Sequence, residues 1–153
     1  MLEIGSVVPD FELQDEAGKM VRLQDLLGGP LLLYFYPADF TPVCTKQACM
    51  FRDIYQDMVA AGVKVIGISP QDPASHVRFR AQHSLPFPLL SDPDKRTIRA
   101  YGADGPFGLG VRRISYLIGP DRTVQHAIVA DLRVSRHETF AAEARDKARE
   151  LGK

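Results

Sequence analysis

The chain has 153 residues, of which 45% are hydrophobic and 25% charged, and its formal net charge is zero. This length fits one domain with a sizeable core, so we predict a single domain over residues 1–153. The balanced charge argues against a protein that binds nucleic acid or an anionic membrane through bulk charge. The sequence has no apolar run of the roughly 18 residues that span a membrane and no signal peptide, which predicts a cytoplasmic protein.

The first half of the chain predicts a hairpin followed by a strand, a helix and a second strand. Alternating apolar residues at 11–13 and 20–23, with a turn between them, are typical of two paired strands. Continuous apolar runs at 31–36 and 63–68 indicate buried strands. The segment between these runs, from about Val43 to Ala61, has the apolar spacing of a helix of about twenty residues.

The second half predicts a further helix and strand, then a hairpin and a C-terminal helix. Asp72 is typical of an N-cap before a helix over 73–83, whose first residue is a proline. Ser135 and Glu138 have the spacing of a capping box at the start of the last helix, which we expect to stop at Gly152. Between these helices we predict a strand at 87–90, a helix at 95–101, a glycine-rich loop at 102–110, and strands at 113–118 and 123–129.

This order of elements predicts an α/β fold. The two crossover units should be parallel and right-handed, and the late hairpin should be antiparallel. The expected result is a mixed central sheet with helices on both faces and an N-terminal hairpin. In such sheets, ligands bind beyond the carboxyl ends of the strands, where the segment after Tyr36 lies.

The only two cysteines, Cys44 and Cys49, lie near the start of the first long helix. A pair of small core residues is the simplest interpretation of two helical cysteines, because free cysteine is often buried. Cys49 lies about 140° from Cys44, on the polar side, which argues against a core role for it. At about 100° per residue, Cys44 falls on the apolar stripe formed by Ala48, Phe51, Tyr55, Met58 and Val59.

A metal site and a redox site are the other interpretations of this cysteine pair. The two cysteines are further apart than in a zinc knuckle, and the four histidines are scattered, so we expect no metal site. A redox site has a physical basis, because free N–H groups and the helix dipole stabilise a thiolate at a helix start. Thr41 can donate its hydroxyl to this thiol, and Pro37 and Pro42 fix the approach of the chain.

Helix geometry restricts how the two cysteines can react with each other. Two helical residues five positions apart have Cα atoms about 8–9 Å apart. A disulfide requires a Cα–Cα distance of about 4.4–6.8 Å. A bond between Cys44 and Cys49 therefore requires the first turn of the helix to unwind.

The segment PADFTPVC, which contains Pro37, Thr41 and Cys44, resembles the Pro-x-x-x-Thr-x-x-Cys motif of the peroxiredoxins. The second cysteine, in CTKQACMFRD, resembles the peroxiredoxin Q or bacterioferritin comigratory protein subfamily. Further similarity runs through GISPQDPASHVRFRAQHSLPFPLLSDPD and RRISYLI, so that the resemblance covers most of the chain. The thioredoxin family, with its Cys-x-x-Cys pair, fits less well.

The resemblance implies a thioredoxin-like fold and thiol-dependent reduction of hydrogen peroxide and alkyl hydroperoxides, without a cofactor. It implies that Cys44 is the peroxidatic cysteine, which is oxidised to a sulfenic acid, and that Cys49 resolves it as an intramolecular disulfide. Thr41 would hydrogen-bond the thiolate and the peroxide, Pro37 would shield the site, and Arg113 would be the active-site arginine. Thioredoxin or a similar dithiol would reduce the disulfide.

Two features depart from the pattern of the family and leave alternatives open. Gln47 stands where the family often has a glutamate that orients the arginine, so the network of Arg113 is expected to differ. Phe40 and Val43 replace the usual asparagine and glycine, which makes a one-cysteine peroxidase without Cys49 an alternative. A non-enzymatic redox sensor, in which oxidation unwinds the helix, is the other alternative. We expect a monomer or a weak homodimer.

Overall fold

The computed structural model describes residues 1–151 and contains a seven-stranded mixed sheet. The strands are β1 (Glu12–Gln14), β2 (Met20–Arg22), β3 (Leu31–Phe35), β4 (Lys64–Ser69), β5 (Leu89–Ser91), β6 (Ile114–Ile118) and β7 (Val124–Val129). Their spatial order is β2-β1-β5-β4-β3-β6-β7. Strands β3, β4 and β5 are parallel, whereas β6 and β7 extend one edge antiparallel and the hairpin β1–β2 extends the other. The predicted mixed sheet and N-terminal hairpin are confirmed.

Helices cover both faces of this sheet, as predicted. They are α1 (Leu23–Leu26), α2 (Pro42–Asp53), α3 (Tyr55–Ala60), α4 (Pro73–His83), α5 (Arg96–Ala100) and α6 (Val134–Leu151). Helices α2, α3, α4 and α6 pack on the face that carries Leu32 and Tyr34. Helices α1 and α5 pack on the opposite face, which carries Leu33 and Phe35. No helix in the described residues is long and apolar enough to cross a membrane.

The predicted single helix from Val43 to Ala61 is wrong, because the chain breaks it at Ile54. This residue has φ −101° and ψ 4°, and it separates α2 from α3. Beyond the break, Tyr55 packs against Phe87 with ring centroids 6.2 Å apart. Val59, a member of the predicted apolar stripe, lies beyond the break and is 51% exposed.

Helix α4 agrees with its prediction, whereas α6 begins earlier than expected. The Asp72 carboxylate caps α4 by accepting a 2.8 Å hydrogen bond from the N–H of Ser75. Helix α6 begins at Val134, a buried core residue, so Ser135 already lies inside the helix and the predicted capping box with Glu138 is wrong. The predicted stop at Gly152 lies outside the described residues. The other predicted elements lie within two residues of their expected bounds, and α1 was not predicted.

The register of two neighbouring strands brings distant parts of the chain together. Strands β3 and β6 are antiparallel, with Phe35 opposite Ile114. The residues that follow β3 therefore lie beside the residues that precede β6. Pro37 and the start of α2 share this edge of the sheet with Arg113, at the carboxyl end of β3.

His137 docks α6 on the sheet through two buried hydrogen bonds. Its Nδ1 lies 2.8 Å from the hydroxyl of Ser115 in β6, and its Nε2 lies 2.9 Å from the carbonyl oxygen of Ala130. Since a carbonyl only accepts, Nε2 donates, and in the neutral ring Nδ1 then accepts from the serine hydroxyl. Burial lowers the pKa of His137 below its usual value, and the guanidinium groups of Arg113 and Arg136 act in the same direction.

We expect the free energy of unfolding to fall as the pH drops below about 6.5, the usual histidine pKa. Because the pKa of His137 is lowered on folding, the unfolded chain binds a proton there more readily than the folded chain. The stabilisation is therefore complete above that pH and is lost below it. Urea unfolding at pH 7.5 and pH 5.0 measures the difference.

The matched control is His137→Gln, which offers a donor and an acceptor but does not titrate. This variant should lose less stability than the wild type between the two pH values. Equal losses in the two proteins would contradict the role given to His137.

Candidate active site

Cys44 lies in the first turn of α2, where the sequence predicts a reactive thiol. Thr41 is the N-cap residue and Pro42 is the first helical residue. The N–H of Thr45 donates to the carbonyl oxygen of Thr41 at 2.9 Å, so the N–H groups of Val43 and Cys44 precede the first helical hydrogen bond. The first turn carries no acidic side chain. The positive end of the helix dipole therefore faces the sulfur without a competing carboxylate.

The guanidinium of Arg113 contacts this sulfur directly. Arg113 is 4% exposed and Cys44 is 2% exposed. Nη1 of Arg113 donates to Sγ of Cys44 at 3.2 Å and to Oε1 of Gln47 at 2.7 Å. A guanidinium is permanently charged, so its hydrogen bond to sulfur is strongest when the sulfur is a thiolate. The structure thus brings together two of the predicted site residues, which lie far apart in sequence.

Asp131 holds Arg113 in this position, and it was not predicted from the sequence. Its carbonyl oxygen accepts a 3.0 Å hydrogen bond from Nε of Arg113, and its Oδ1 accepts a 3.0 Å hydrogen bond from the main-chain N–H of Arg113. The hairpin β6–β7 pairs Ile114 with Val129, so residues just after β7 lie beside Arg113. The predicted pairing of these two strands could therefore have indicated from the sequence that Asp131 lies beside Arg113.

The neighbouring Arg112 points away from the sulfur and binds the same aspartate. Its Nε and Nη2 donate to Oδ2 of Asp131 at 3.3 Å and 2.9 Å, in an ion pair that is about half exposed. Burial tends to raise the pKa of Asp131, but hydrogen bonds from Arg112 and Arg113 outweigh it and hold that pKa below its usual value. The carboxylate of Asp131 therefore fixes the main chain before β6 and forms an ion pair with Arg112.

Gln47 orients the guanidinium of Arg113 in place of a glutamate. Its side chain is fully buried, and its Oε1 accepts the hydrogen bond from Arg113. Its Nε2 has no hydrogen-bond partner among the described residues. An unpaired buried donor costs about 1–3 kcal/mol. Because the amide is neutral, it positions the guanidinium without neutralising it, which leaves Cys44 as the group that can supply a negative charge.

Thr41 does not make the predicted hydrogen bond to Cys44 in this conformation. Its hydroxyl donates instead to the carbonyl oxygen of Ala38 at 3.0 Å, within the loop between β3 and α2. A hydroxyl has one proton to donate, so the loop carbonyl and a thiolate compete for it. Thr41 would have to rotate its side chain to reach the sulfur or a peroxide.

An open cavity of about 490 Å³ lies beside the arginine. Pro37 lines one side, and the glycine-rich loop 102–110 with Leu109 lines the other. Pro37 is half-buried and lines the same cavity as Arg113. The cavity volume is in the range of small-molecule sites, and Arg113 is the lining residue that also contacts the sulfur of Cys44.

Tyr34 lies beneath α2 with a buried hydroxyl that has no hydrogen-bond partner in the described part of the chain. Its ring packs against Phe51 at 4.7 Å between centroids. Burial raises the pKa of Tyr34 well above its usual value, and a negative charge on Cys44 acts in the same direction. The phenol therefore stays neutral beside the thiol. Gly67 leaves room for it, since a Cβ at that position would lie 2.9 Å from the Tyr34 hydroxyl oxygen.

Cys49 lies on the half-exposed side of α2, and both thiols are free. The two cysteines belong to one uninterrupted helix from Pro42 to Asp53. Their Cα atoms are thus held about 8–9 Å apart by the helix, too far for a disulfide. In residues 1–151, no group of three or more His, Cys, Asp or Glu side chains could hold a metal ion. The chemistry that these residues offer is that of a thiol beside a permanent cation.

The chain matches the model of the AhpC/TSA family over residues 4–127. It is 48% identical over 122 residues to the chloroplastic peroxiredoxin Q of Gentiana triflora, an alignment that covers 79% of this chain and 56% of that protein. It is 39% identical over 142 residues to a bcp-type peroxiredoxin of Coxiella burnetii, with 89% and 93% of the two chains covered. The chain therefore spans little more than half of the plant relative but most of the bacterial one.

Solved structures share the fold along nearly the whole chain. Peroxidoxin BcpB of Mycobacterium tuberculosis has a TM-score of 0.89 and 33% identity, and the match covers 96% of this chain and 98% of that one. The bacterioferritin comigratory protein of Xanthomonas campestris has a TM-score of 0.86 and 30% identity, with 97% and 98% covered. The predicted thioredoxin-like fold is thus confirmed. The chain belongs to the AhpC/TSA family, as a peroxiredoxin of the peroxiredoxin Q or bacterioferritin comigratory protein type.

Proposed function

We propose that this protein is a thiol peroxidase that reduces hydrogen peroxide and alkyl hydroperoxides through Cys44. The observation that carries the proposal is the 3.2 Å contact between Nη1 of Arg113 and Sγ of Cys44, at the start of α2. A buried cysteine with only a packing role needs neither a permanent cation nor free helix donors beside it. The Xanthomonas campestris relative has alkyl peroxide reduction activity, which supports the same substrate class here.

In the first step, the thiolate of Cys44 attacks the terminal oxygen of the hydroperoxide. A sulfur–oxygen bond forms as the oxygen–oxygen bond breaks, so the cysteine is oxidised to a sulfenic acid. The peroxide is reduced to an alkoxide or hydroxide, which takes up a proton and leaves as alcohol or water. Arg113 and the free N–H groups of α2 stabilise the negative charge that moves onto the oxygens. Asp131 and Gln47 hold the guanidinium in place before the reaction begins.

In the second step, the thiol of Cys49 attacks the sulfenic sulfur of Cys44. A disulfide forms and water leaves, which carries away the oxygen that came from the peroxide. Because α2 holds the two Cα atoms too far apart, the turn that contains Cys44 must leave the helix first. The half-exposed position of Cys49 makes it accessible to the sulfur once that turn has opened.

A dithiol reductant then returns both cysteines to the thiol state by thiol–disulfide exchange, which supplies two electrons. We propose thioredoxin or a similar dithiol protein for this step, in line with the use of thioredoxin-type reductants in the peroxiredoxin family. The opened turn of α2 would expose the disulfide to such a partner. The monomeric or weakly dimeric state and the cytoplasmic location are proposed on the sequence alone.

Replacement of the attacking sulfur tests the first step. Cys44→Ser should lower the peroxide turnover rate by at least about a thousandfold, because no thiolate remains to accept the oxygen. An NADPH-coupled assay with thioredoxin and thioredoxin reductase measures this rate. Undiminished peroxide consumption by the variant would contradict the assignment of Cys44.

Replacement of the second cysteine tests the resolving step. Cys49→Ser should still consume one equivalent of peroxide, but it should accumulate a sulfenic acid at Cys44, because no second thiol displaces the oxygen. Dimedone trapping with mass spectrometry detects this product, whereas the wild type should give a disulfide that thioredoxin reduces. Normal thioredoxin-supported turnover of the variant would instead establish the one-cysteine mechanism.

Replacement of Arg113 tests the contact between its guanidinium and the sulfur of Cys44. Arg113→Lys keeps the charge but loses the planar fork that reaches Gln47, Cys44 and Asp131 together, so the rate constant of Cys44 with peroxide should fall about ten- to a hundredfold. Competition with a reference peroxidase measures that constant. The control Arg112→Lys changes the exposed neighbour and should stay within about twofold of the wild type. Equal losses in the two variants would show that general charge, not the contact with sulfur, sets the rate.

A further inference from the structure

A buried carboxylate outside the thiol site anchors the loop 36–41, which joins β3 to α2. Asp39 of this loop is 5% exposed. Its Oδ1 accepts from the Tyr36 hydroxyl at 2.6 Å, and its Oδ2 accepts from the Ser75 hydroxyl and from Nδ1 of His76, each at 2.7 Å. Burial alone would raise the pKa of Asp39, but the hydrogen bonds from His76 and Tyr36 outweigh it and hold that pKa below its usual value.

His76 connects this carboxylate to the centre of the sheet. Its ring is fully buried on α4. While Nδ1 binds Asp39, Nε2 lies 3.2 Å from the carbonyl oxygen of Leu90 and 3.4 Å from the hydroxyl of Ser69. Helix α4 is itself fixed by the Asp72 cap. The loop 36–41 is therefore tied through one imidazole ring to the ends of β4 and β5.

The same helix holds the next residue of the loop in a strained conformation. Phe40 has φ 63°, in the left-handed region, which costs a residue with a side chain about 1–2 kcal/mol. Strain of this kind persists only where the surroundings over-determine the backbone. Here the ring of Phe40 packs edge-on against Phe79 of α4, with centroids 5.2 Å apart, beside the anchored Asp39. Helix α4 thus fixes two successive residues of the loop.

A buried carboxylate–imidazole pair is a poor source of stability, because the cost of removing the carboxylate from water offsets the gain from its hydrogen bonds. Its more useful property is that it specifies one geometry, since several donors and acceptors must meet at once. The loop that this pair holds carries Pro37, which lines the cavity beside Arg113, and Thr41, which is the N-cap of the helix that carries Cys44. Under the proposed function, the start of α2 unwinds and refolds in every turnover, so these two residues need an anchor that lies outside α2.

We propose that Asp39 and His76 are positioning residues for the peroxidase reaction. They hold the loop 36–41 on α4, so that Pro37 and Thr41 keep their place beside Cys44 each time α2 refolds. This inference rests on the proposed function. It assigns the pair no contact with the peroxide or with the reacting sulfur.

The test compares two reactions of the same thiol in Asp39→Asn, in His76→Gln and in the double variant. One reaction is with hydrogen peroxide, which needs the positioned loop, and the other is alkylation by iodoacetamide, which does not. Each single variant should lower the peroxide rate constant about five- to tenfold, while the alkylation rate stays within about twofold. Because the two residues act as one unit, the double variant should be no slower than the slower single variant.

Ser75→Ala is a milder variant that removes one hydrogen bond to Asp39 and should lower the peroxide rate about two- to threefold. Asp92→Asn is the matched control, because Asp92 is 1% exposed and its Oδ2 accepts a hydrogen bond from the N–H of Ile98, which packs on the opposite face of the sheet. This control should lose stability but keep the peroxide rate.

Unchanged peroxide rates, parallel losses of peroxide and alkylation rates, multiplying effects in the double variant, or an equal loss in Asp92→Asn would each overturn the positioning role. A wild-type protein that does not react with peroxide would instead overturn the proposed function, and it would be recognised before any variant is compared.

Discussion

The hydrogen bond from Arg113 to Cys44 is the contact on which the rest of the site depends. It joins residues that are 69 positions apart in the chain, so no local element can form it. The antiparallel register of β3 and β6 brings the two segments to one edge of the sheet. The start of α2 then places the sulfur, and Asp131 after β7 places the guanidinium. A shift in either strand pair would separate the two groups.

The burial of Arg113 explains why its surroundings are so completely specified. A buried guanidinium is costly unless its donors are satisfied and its charge is compensated. The described hydrogen bonds of this side chain go to the carbonyl oxygen of Asp131, the amide oxygen of Gln47 and the sulfur of Cys44. Two of these acceptors are neutral, and the carboxylate of Asp131 is used by Arg112 and a main-chain N–H. A thiolate at Cys44, as in the proposed mechanism, would place an anion within hydrogen-bond distance of the buried cation.

The sequence predicted the parts of this arrangement that have a local signature. Periodicity and caps located the strands and helix α4, and the resemblance to the peroxiredoxins pointed to Pro37, Cys44 and Arg113. The parts that sequence reasoning missed are tertiary. Asp131 depends on the register of β6 and β7, and the direction of the Thr41 hydroxyl depends on competition between two acceptors. The break at Ile54 also left no signal in the apolar pattern. Met58 is buried in the observed structure, as it would be in the predicted continuous helix.

That break has a consequence for the step in which the two cysteines meet. A continuous helix from Val43 to Ala61 would oppose unwinding with the packing of its whole length. In the observed structure, α3 is a separate helix that Met58 anchors in the core, and Phe51 anchors the end of α2. The turn that must open therefore lies between two fixed points, the buried Phe51 on one side and the loop held by Asp39 on the other. Under the proposed mechanism, we expect opening to be confined to the segment 44–49 while the sheet keeps its position. Gln47 lies in this segment, so Asp131 is the residue that holds Arg113 while the sulfur moves.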